Sequence, residues 1–396
     1  MKITDIQVCP LQASGRTLVP IVVETDEGLT GVGEAGLQRR WKAIIGAVEH
    51  MKKWLIGKDP MRIEHLWQEM FRGGFYPADR LIGSAISGID IALWDIKGKA
   101  LNVPVYELLG GRCRDWVDVF FQPGYLTSVV EHPREKGGKE GNRTAAVQEV
   151  VEAAKRYVSE GYRYCRISPN AQEGVFHPQE AMSQTLERLS AVREAMGDRL
   201  ELMVDLHTRL SPPEAIWFCR ECEGLRMFVV EDPIRSEHPA GYRHIRQHTH
   251  VPLAAGEQWA SKWEFSLAIE EELIDYVRTD LCIAGGLTEG RKIAAMAETH
   301  YIKLLLHNPL GPVCTAASLH LDLACDNAGP QEVLWPPQSM LPDVFECGFK
   351  LEGGRLTLPT VPGIGVRFNK EAAKAYPAEM TEPPHLQRED GSYTNY

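Results

Sequence analysis

The chain has 396 residues, of which 44% are hydrophobic and 24% are charged, and its formal net charge at pH 7 is −11. This length is sufficient for one large domain and a smaller one. The acidic balance and the absence of a Lys/Arg-rich run argue against nucleic-acid binding, which depends on basic patches that neutralise phosphates. An anionic small molecule would need a local cation to attract it, such as a divalent metal ion.

The sequence also argues against a membrane protein. No segment approaches the roughly 18 consecutive apolar residues of a membrane span, and the N-terminal MKITDIQVCPL is typical of an edge strand rather than a signal peptide. The nine cysteines are scattered, and the close pair Cys219 and Cys222 lacks the further ligands of a zinc site. We interpret these cysteines as free thiols and expect a cytoplasmic protein.

The first 113 residues contain strands followed by helices. The segments KITDIQV, TLVPIVVETD and LTGVGEA predict strands, with a turn at Glu27-Gly28, and amphipathic patterns predict helices from Trp41 to Leu55 and from Arg62 to Phe71. A third helix, SAISGIDIALWDIKGKAL, is apolar around most of its circumference and is expected to be buried. Strands and helices in separate blocks indicate an α+β domain over residues 1–113.

Residues 114–335 alternate short apolar runs with amphipathic helices. The eight strand candidates are WVDVFFQP, YRYCRIS, LELMVDLH, MFVVEDP, VPLAAGE, IDYVRTDL, IKLLLHN and PQEVLW. Continuously apolar strands between helices indicate a parallel sheet covered on both faces, and eight of them predict an α/β fold with a TIM-like barrel. The charged insertion 127–143 is interpreted as a surface loop or as an active-site lid.

The remaining residues, 336–396, are rich in Pro, Gly and Glu. The segment FKLEGGRLTL predicts a hairpin, and we expect the last twenty residues to form an extended segment on the surface.

Three acids follow consecutive predicted strands of the barrel. Asp205 and Glu231 are 26 residues apart, as are Glu231 and Glu257, which is one βα unit in each case. Barrel geometry then brings the three carboxylates together at the face where barrel active sites lie. A single such acid is more often a structural helix cap, but three converging anions need a cation, and carboxylate oxygens favour Mg²⁺.

Two histidines occur at the same strand ends. His207 is two residues after Asp205, so in a strand both side chains would point the same way. His307 follows the seventh strand and Asp280 the sixth, which allows Asp280 to fix the ring of His307 and make it a better base. Glu332 ends the eighth strand. A lone histidine would more often be structural, but this pairing with acids favours catalytic roles.

The motifs VDLH, VVEDP, AAGEQ, TDLCIAGGLTEGRKIA and LLLHNPLGPV resemble the enolase superfamily, in its mandelate racemase-like branch. The segment GIDIALWDIKGKALNVPVYELLGG is similar to the capping domain of that branch. The resemblance covers nearly the whole chain, and it is strongest to galactonate dehydratases, followed by mannonate dehydratase-type proteins. It implies a (β/α)7β barrel with an N-terminal capping domain that the C-terminal segment completes.

The resemblance also implies roles for the residues at the strand ends. Mg²⁺ would be held by Asp205, Glu231 and Glu257. His307, oriented by Asp280, would remove the proton at C2 of a sugar acid, as enolase-superfamily bases do. His207 would protonate the departing 3-hydroxyl, and Glu332 would bond the enediolate, which leads to a 2-keto-3-deoxy acid. The family further implies a homo-oligomer, either a dimer or an octamer.

The chain departs from the family pattern after the second barrel strand. Arg166 and Ser168 stand where racemases of this branch have a Lys-x-Lys pair, so a two-base racemase is not favoured. Arg166 resembles an arginine of mannonate dehydratases, but the tyrosine that accompanies it there is missing in the segment that follows. Conversely, mannonate-type proteins do not generally have an equivalent of Asp280.

The substrate is less well defined by the sequence. Gln38, Gln122 and Trp259, together with Arg166 and Glu332, are candidates for substrate contacts, although Gln38, Gln122 and Trp259 could equally be packing or surface residues. The sequence leaves three functions open: an aldonic-acid dehydratase acting on galactonate, gluconate or mannonate, an epimerase or diacid-sugar dehydratase, and a metal-binding scaffold without activity. A diacid would require a second cationic pocket, for which the candidates are Arg39, Arg40 and Arg80. Gly285-Gly286 is interpreted as a tight turn.

Overall fold

The computed structural model describes residues 1–123, 146–169, 175–382 and 385–395. The insertion 127–143, interpreted above as a loop or a lid, lies outside these residues. None of the helices in the described ranges is both long enough and apolar enough to cross a membrane.

The N-terminal region contains five strands and four α-helices. The strands are β1 (Ile3–Val8), β2 (Leu11–Ala13), β3 (Arg16–Leu18), β4 (Pro20–Thr25) and β5 (Thr30–Glu34). A 3₁₀ turn at Gln38–Arg40 precedes the helices, which are α1 (Trp41–Leu55), α2 (Ile63–Arg72), α3 (Arg80–Leu101) and α4 (Val105–Leu108). β1, β4 and β5 form an antiparallel sheet, and β2 and β3 form a separate hairpin. The three predicted helices are observed, the second shifted by one residue at both ends and the third beginning at Arg80, four residues earlier than predicted.

Helix α3 is the central element of this region, as its apolar circumference predicts. It packs against β5 on one side and against a barrel helix, residues 286–298, on the other. Asp79 caps its first turn through a side-chain bond from the Ile82 N–H, and Asn102 ends it in the left-handed conformation. The helix therefore lies between the N-terminal sheet and the barrel, which explains why both of its faces are buried.

The barrel region alternates strands and helices. Its eight strands are β6 (Val117–Phe121), β7 (Tyr164–Ile167), β8 (Glu201–Asp205), β9 (Val229–Glu231), β10 (Leu253–Ala255), β11 (Tyr276–Val277), β12 (Lys303–Leu304) and β13 (Gln331–Glu332). Its helices are α5 (Val147–Ser159), α6 (Pro178–Met196), α7 (Pro212–Cys222), α8 (Gly241–Arg246), α9 (Lys262–Glu270), α10 (Gly286–Glu298) and α11 (Pro312–Ala324).

The eight strands lie in sequence order and pair in parallel. β13 pairs with β6, and a bridge between Leu304 and Ala328 links the two ends of the strand series, which closes the barrel. A small buried cluster separate from the larger core is formed by residues in or next to the barrel strands: Phe120, Met203, Val229, Ala254 and Leu305. The larger core covers the outside of the strands and continues into the N-terminal region. The predicted fold class is confirmed, whereas the domain limits at residues 113 and 335 stay predictions.

The C-terminal segment forms short strands, of which one hairpin extends the barrel sheet. These are β14 (Phe345–Cys347), β15 (Leu351–Glu352), β16 (Arg355–Leu356), β17 (Val366–Phe368), β18 (Leu386–Gln387) and β19 (Tyr393–Asn395), with α12 (Lys370–Ala373) after β17. β15 and β16 form the predicted hairpin, and β16 pairs with β6. The expectation of an extended terminal segment is wrong at its end, because β18 and β19 pair as a hairpin.

The N-terminal region and the barrel are joined by buried polar contacts. The indole nitrogen of Trp67 donates to the Gly285 carbonyl at 2.7 Å, and that of Trp94 donates to Oγ1 of Thr288 at 2.9 Å. Gly285 has φ +98°, which agrees with the predicted tight turn before α10. These bonds connect the N-terminal helices to the barrel loop that follows β11, close to the strand ends where the predicted site residues lie.

Candidate active site

The three predicted metal ligands follow neighbouring strands. Asp205 and Glu231 are the last residues of β8 and β9 and stand opposite each other in register. Glu257 lies two residues beyond β10, after Gly256, which has φ +129°. A side chain at position 256 would come within 2.3 Å of the Phe265 ring, so glycine is needed for the chain to turn here. The predicted convergence of the carboxylates is therefore observed.

A fourth acid, Asp232, belongs to the same group and was not predicted. Carboxylate oxygens of Glu231, Asp232 and Glu257 lie within 4.8 Å of one another, and all three residues are buried. Asp205 lies beside this group, with Oδ2 3.7 Å from the Arg166 guanidinium that also contacts Glu231. Asp232 has φ +41°, and its Oδ2 has no hydrogen-bond partner among the described residues.

The charges of these acids are only partly compensated. Burial raises the pKa of Glu257 well above its usual range; His307 opposes the increase, and Asp232, Asp205 and Glu231 add to it. Burial and the neighbouring Glu231 and Asp205 likewise raise the pKa of Asp232. A surplus of buried negative charge on an oxygen-only donor set fits a hard divalent cation.

Two buried arginines neutralise the other side of the site. Nη1 of Arg166 is 2.9 Å from Glu231, and Nη2 of Arg278 is 2.7 Å from the same carboxylate. Both arginines also pair with Glu332, where the contact to Arg278 is 2.6 Å. Burial disfavours the charged form of Glu332, but the two arginines outweigh it and hold the pKa of this carboxyl well below its usual range.

Arg278 was missed by the sequence reasoning. It follows β11, is fully buried, and donates to the carbonyls of Leu305 and Leu306 at 2.9 Å each. The available signal was a charged residue in the otherwise apolar strand text IDYVRTDL, two positions before Asp280. A buried arginine is rare unless it is paired, so that position indicates an internal ion pair.

Gln122 orients Arg166. In the amide orientation that satisfies both of its ends, the Gln122 oxygen accepts a hydrogen bond from Nε of Arg166 at 2.7 Å. Gln122 is buried after β6, whereas Arg166 lies within β7. Gln122, after β6, thus holds Arg166 of β7 so that the guanidinium nitrogens of Arg166 contact Glu231 and Glu332.

His307 and Asp280 form the predicted pair. Nδ1 of His307 is 2.9 Å from Oδ2 of Asp280, and Nε2 is 3.4 Å from Oε2 of Glu257. The second oxygen of Asp280 accepts the Cys282 N–H at 2.7 Å, which fixes the carboxylate. Burial lowers the pKa of His307, but Glu257, the Asp280 hydrogen bond and Glu332 outweigh it and raise this pKa to about 9.

His207 reaches the site by a different route from the one predicted. Strand β8 ends at Asp205, so the argument from strand alternation is wrong for His207. His207 and Thr208 have φ +52° and +58°, a left-handed turn that non-glycine residues seldom adopt. Two bonds hold this turn: the His207 N–H donates to Oδ1 of Asp205 at 2.8 Å, and the Thr208 N–H donates to the Asp232 carbonyl at 2.7 Å. Nε2 of His207 lies 3.9 Å from Glu257.

These side chains border one cavity of about 240 Å³. Its lining includes Gln38, Gln122, Arg166, Asp205, His207, Glu257, His307 and Glu332, together with the arginines Arg16, Arg39, Arg40 and Arg209. Gln38 belongs to the N-terminal region, which therefore forms part of the wall above the barrel strand ends.

Two residues proposed for substrate contact lie elsewhere. Trp259 is buried in the core, where its indole nitrogen donates to the Ser236 carbonyl and its ring packs edge-on against Phe265, so substrate contact was the wrong expectation for this residue. Arg80 pairs with Glu264 at 3.4 Å and is not among the described residues that line the cavity.

Comparison with known proteins gives the family. Residues 3–110 match the mandelate racemase / muconate lactonizing enzyme N-terminal domain, and residues 149–373 match the enolase C-terminal domain-like model. A D-galactonate dehydratase of Ralstonia pickettii is 38% identical over 354 residues, which cover 88% of each chain. A D-mannonate dehydratase of Caulobacter vibrioides is 34% identical over the full length of both chains.

The solved structures agree with the sequence matches. An enolase from Pantoea ananatis, whose crystal structure contains D-gluconate and Mg, superimposes with a TM-score of 0.89 at 29% identity and covers 100% of this chain and 99% of that one. The match of both family domains, together with full-length relatives above 30% identity, leads to one conclusion. The chain belongs to the enolase superfamily, in its mandelate racemase / muconate lactonizing enzyme family.

Proposed function

We propose that this protein is a magnesium-dependent sugar-acid dehydratase that acts on an aldonic acid of the galactonate type. The observation that carries the proposal is the His307–Asp280 pair, in which Nε2, the ring nitrogen that Asp280 does not hold, faces Glu257 of the buried carboxylate group. The names of the relatives, D-galactonate and D-mannonate dehydratases, support the reaction class. The gluconate and Mg of the Pantoea ananatis structure support the substrate class and the cofactor.

Asp205, Glu231 and Glu257 would hold the metal ion. Their fit rests on the oxygen-only donors and on the high pKa of Glu257, which burial raises first and the neighbouring carboxylates raise further. When bound, Mg²⁺ supplies positive charge that attracts the substrate carboxylate and stabilises the enediolate. Arg166 and Arg278 both pair with the Glu231 carboxylate, and both keep Glu332 ionised. With a metal bound, the site would therefore combine the charge of the ion with two fixed guanidinium charges.

His307 is the proposed base at C2. Asp280 holds Nδ1, so Nε2 is the nitrogen that takes the proton. Part of the high pKa of His307 comes from the Glu257 carboxylate. Neutralising Glu257 with a cation would bring that pKa down toward the range in which a histidine accepts a proton at neutral pH.

His207 is the proposed acid. The hydroxyl at C3 leaves as water when it receives a proton, and His207 lines the same cavity as His307. Loss of the C2 proton and the C3 hydroxyl gives an enol, which becomes the 2-keto-3-deoxy acid by gaining a proton at C3 and losing the proton of the C2 hydroxyl. Glu332, held ionised between Arg166 and Arg278, would accept a hydrogen bond from a substrate hydroxyl.

Dehydration of a diacid sugar is the second candidate, and one observation favours it. Arg16, Arg39, Arg40 and Arg209 line the cavity in addition to Arg166, which would suit a second carboxylate at the far end of the substrate. Arg40 is partly compensated, because it pairs with Glu382 at 2.8 Å. The epimerase and the metal-binding scaffold remain alternatives, and the cytoplasmic location and the homo-oligomer remain predictions.

The test is a screen of the purified protein with Mg²⁺ against mono- and diacid sugars, with detection of 2-keto-3-deoxy products. Turnover of an aldonic acid that is lost in His307→Asn supports the proposal, and preferred turnover of diacids supports the second candidate. If no acid is turned over, exchange of the C2 proton in deuterated water is measured. Exchange without elimination indicates an epimerase. If neither exchange nor turnover is detected, the metal-binding scaffold becomes the favoured function.

A further inference from the structure

The end of strand β5 touches the two barrel loops that carry Asp280 and His307. The Gly36 N–H donates to the Cys282 carbonyl at 2.7 Å, and Cys282 in turn donates its own N–H to Asp280. Ser84 of α3 binds the same carbonyl at 3.0 Å. Gly36 has no room for a side chain, because a Cβ would lie 2.5 Å from Ile283. One short stretch of the N-terminal region therefore contacts the loop that holds Asp280.

Glu34, two residues earlier, makes the corresponding contact on the His307 side. Its Oε1 accepts the Gly311 N–H at 3.3 Å, and its Oε2 accepts the Cys314 N–H at 3.0 Å. Glu34 is only 1% exposed, and these two amides belong to the N-cap residue and to the third residue of α11. A buried carboxyl group that accepts hydrogen bonds from both amides is a helix cap, although it comes from a position 277 residues away from Gly311 in the sequence.

Helix α11 cannot provide this cap itself. Its N-cap residue is Gly311, which has no side chain, and Pro312 at the first helical position has no N–H. A Cβ at position 311 would lie 2.7 Å from the end of the Leu18 side chain, so a Ser, Thr, Asn or Asp cap would have to displace this side chain. The close approach of the two regions therefore favours glycine here, and Glu34 is the substitute cap.

The segment 307–311 joins His307 to this helix start and is held at both ends. Near His307, the Asn308 N–H donates to Oε2 of Glu332 at 3.1 Å, and the Asn308 side chain donates to Thr315 and to the Glu332 carbonyl. At the other end, the side-chain contact is Glu34. Only three residues lie between His307 and Gly311, so a shift of the helix start can be passed on to His307.

We propose that Glu34 is a positioning residue for His307: it caps α11 from the N-terminal region and holds segment 307–311 so that Nε2 of His307 faces the cavity. This inference rests on the proposed function, in which His307 is the base. Glu34 does not line the cavity among the described residues, so its effect on catalysis passes through the segment.

The test compares Glu34→Gln with Asp95→Asn. Glutamine keeps the shape of the side chain but replaces one acceptor with an NH₂ group that cannot accept a backbone N–H. Asp95 is the control: it is a buried acidic residue of the N-terminal region that accepts the backbone amides of Val32 and Ile364 at 3.0 and 2.9 Å. It also pairs with Lys99 at 2.6 Å, so its replacement disturbs this region at least as strongly as Glu34→Gln. Because Val32 lies in β5, this control reports a general weakening of the strand without removing the cap on α11.

We expect Glu34→Gln to lower kcat by about 10- to 100-fold with little change in KM, because misplacing a catalytic group impairs the reaction more than binding. Deuterium exchange of the backbone amides in residues 305–315 should be faster in Glu34→Gln and unchanged in Asp95→Asn. Wild-type kcat and exchange in Glu34→Gln, or equal losses of kcat in both variants, would overturn the proposal. If Glu34→Gln does not fold, Glu34→Asp, which is one methylene too short to reach both amides, takes its place with the same expectations.

The two proposals can fail separately. If the wild-type protein turns over no sugar acid, the proposed function fails, and deuterium exchange alone decides the role of Glu34. Faster exchange in residues 305–315 of Glu34→Gln, but not of Asp95→Asn, still supports the anchoring of this segment. Identical exchange in the wild type and both variants rejects it.

Discussion

Nε2 of His307 lies 3.4 Å from Oε2 of Glu257, so the proposed base and a proposed metal ligand are in direct electrostatic contact. Each therefore alters the ionisation of the other. The Glu257 carboxylate raises the pKa of His307, and His307 opposes the increase in the pKa of Glu257. Binding of a cation at Glu257 and protonation of His307 should then compete.

This competition predicts how stability depends on pH. In the metal-free protein, the pKa of His307 is raised from 6.5 to about 9, because Glu257 and Asp280 outweigh burial. The protonated ring then stabilises the fold fully below about pH 6.5, and this stabilisation is lost as the pH rises through about 9. We expect the thermal midpoint, measured with a chelator, to fall more over this window in the wild type than in His307→Asn. Added Mg²⁺ should reduce the difference, and equal pH profiles without metal would contradict the prediction.

Replacing His207 should separate the two halves of the reaction. We expect His207→Asn to retain exchange of the C2 proton, since His307 and Asp280 remain in contact, and to lose elimination by about 10²- to 10⁴-fold, the usual contribution of a general acid. The measurements are NMR of substrate in deuterated water and detection of 2-keto-3-deoxy product. Loss of both activities to the same extent would show that His207 does not act only as the acid.

Arg278 should be important for stability. It is fully buried and pairs with Glu231 and Glu332, so Arg278→Met leaves two buried carboxylates with less compensation. We expect a decrease of about 3–5 kcal/mol in the free energy of unfolding, measured by urea denaturation. Arg243→Met is the control, because Arg243 pairs with Glu271 at the surface, where such pairs contribute about 0–1 kcal/mol. Similar small losses in both variants would mean that the buried pairs are not needed for the fold.

The arginines of the cavity should decide between mono- and diacid substrates. If the far end of the substrate carries a second carboxylate, Arg39→Ala should reduce kcat/KM for diacids by about 10-fold or more, the effect of losing a charged hydrogen bond, and change it little for aldonic acids. Arg243→Ala, at a surface pair outside the cavity lining, serves as the control. Equal effects of Arg39→Ala on both substrate classes would remove the argument for a diacid.

The sequence by itself determined the barrel and most of the groups at its active face. Parallel strands in a barrel all end at one face, so the regular spacing of Asp205, Glu231 and Glu257 was enough to predict their convergence. The spacing of Asp280 and His307 similarly predicted a contact that the structure shows at 2.9 Å. These predictions succeeded because they depend on which strand a residue follows and not on its detailed conformation.

Only the tertiary structure decided the remaining features. Arg278 belongs to the site because the barrel directs it inward, and Asp232 because the chain turns at φ +41° after β9. His207 enters through a left-handed turn rather than along the strand, and Trp259 is buried by packing against Phe265. Each of these placements depends on local dihedral angles or on contacts with other elements. The spacing of strands along the sequence contains no information about either.

The Glu34 cap on α11 also divides into a part that the sequence indicates and a part that the tertiary structure decides. Gly311 and Pro312 leave the start of α11 without a cap of its own, a deficiency that is visible in the sequence. The residue that fills it comes from a strand 277 positions earlier, which only the docking of the N-terminal region onto the barrel brings into reach. A local pattern can therefore indicate that a helix start needs a partner, whereas the identity of the partner follows from how the two regions pack.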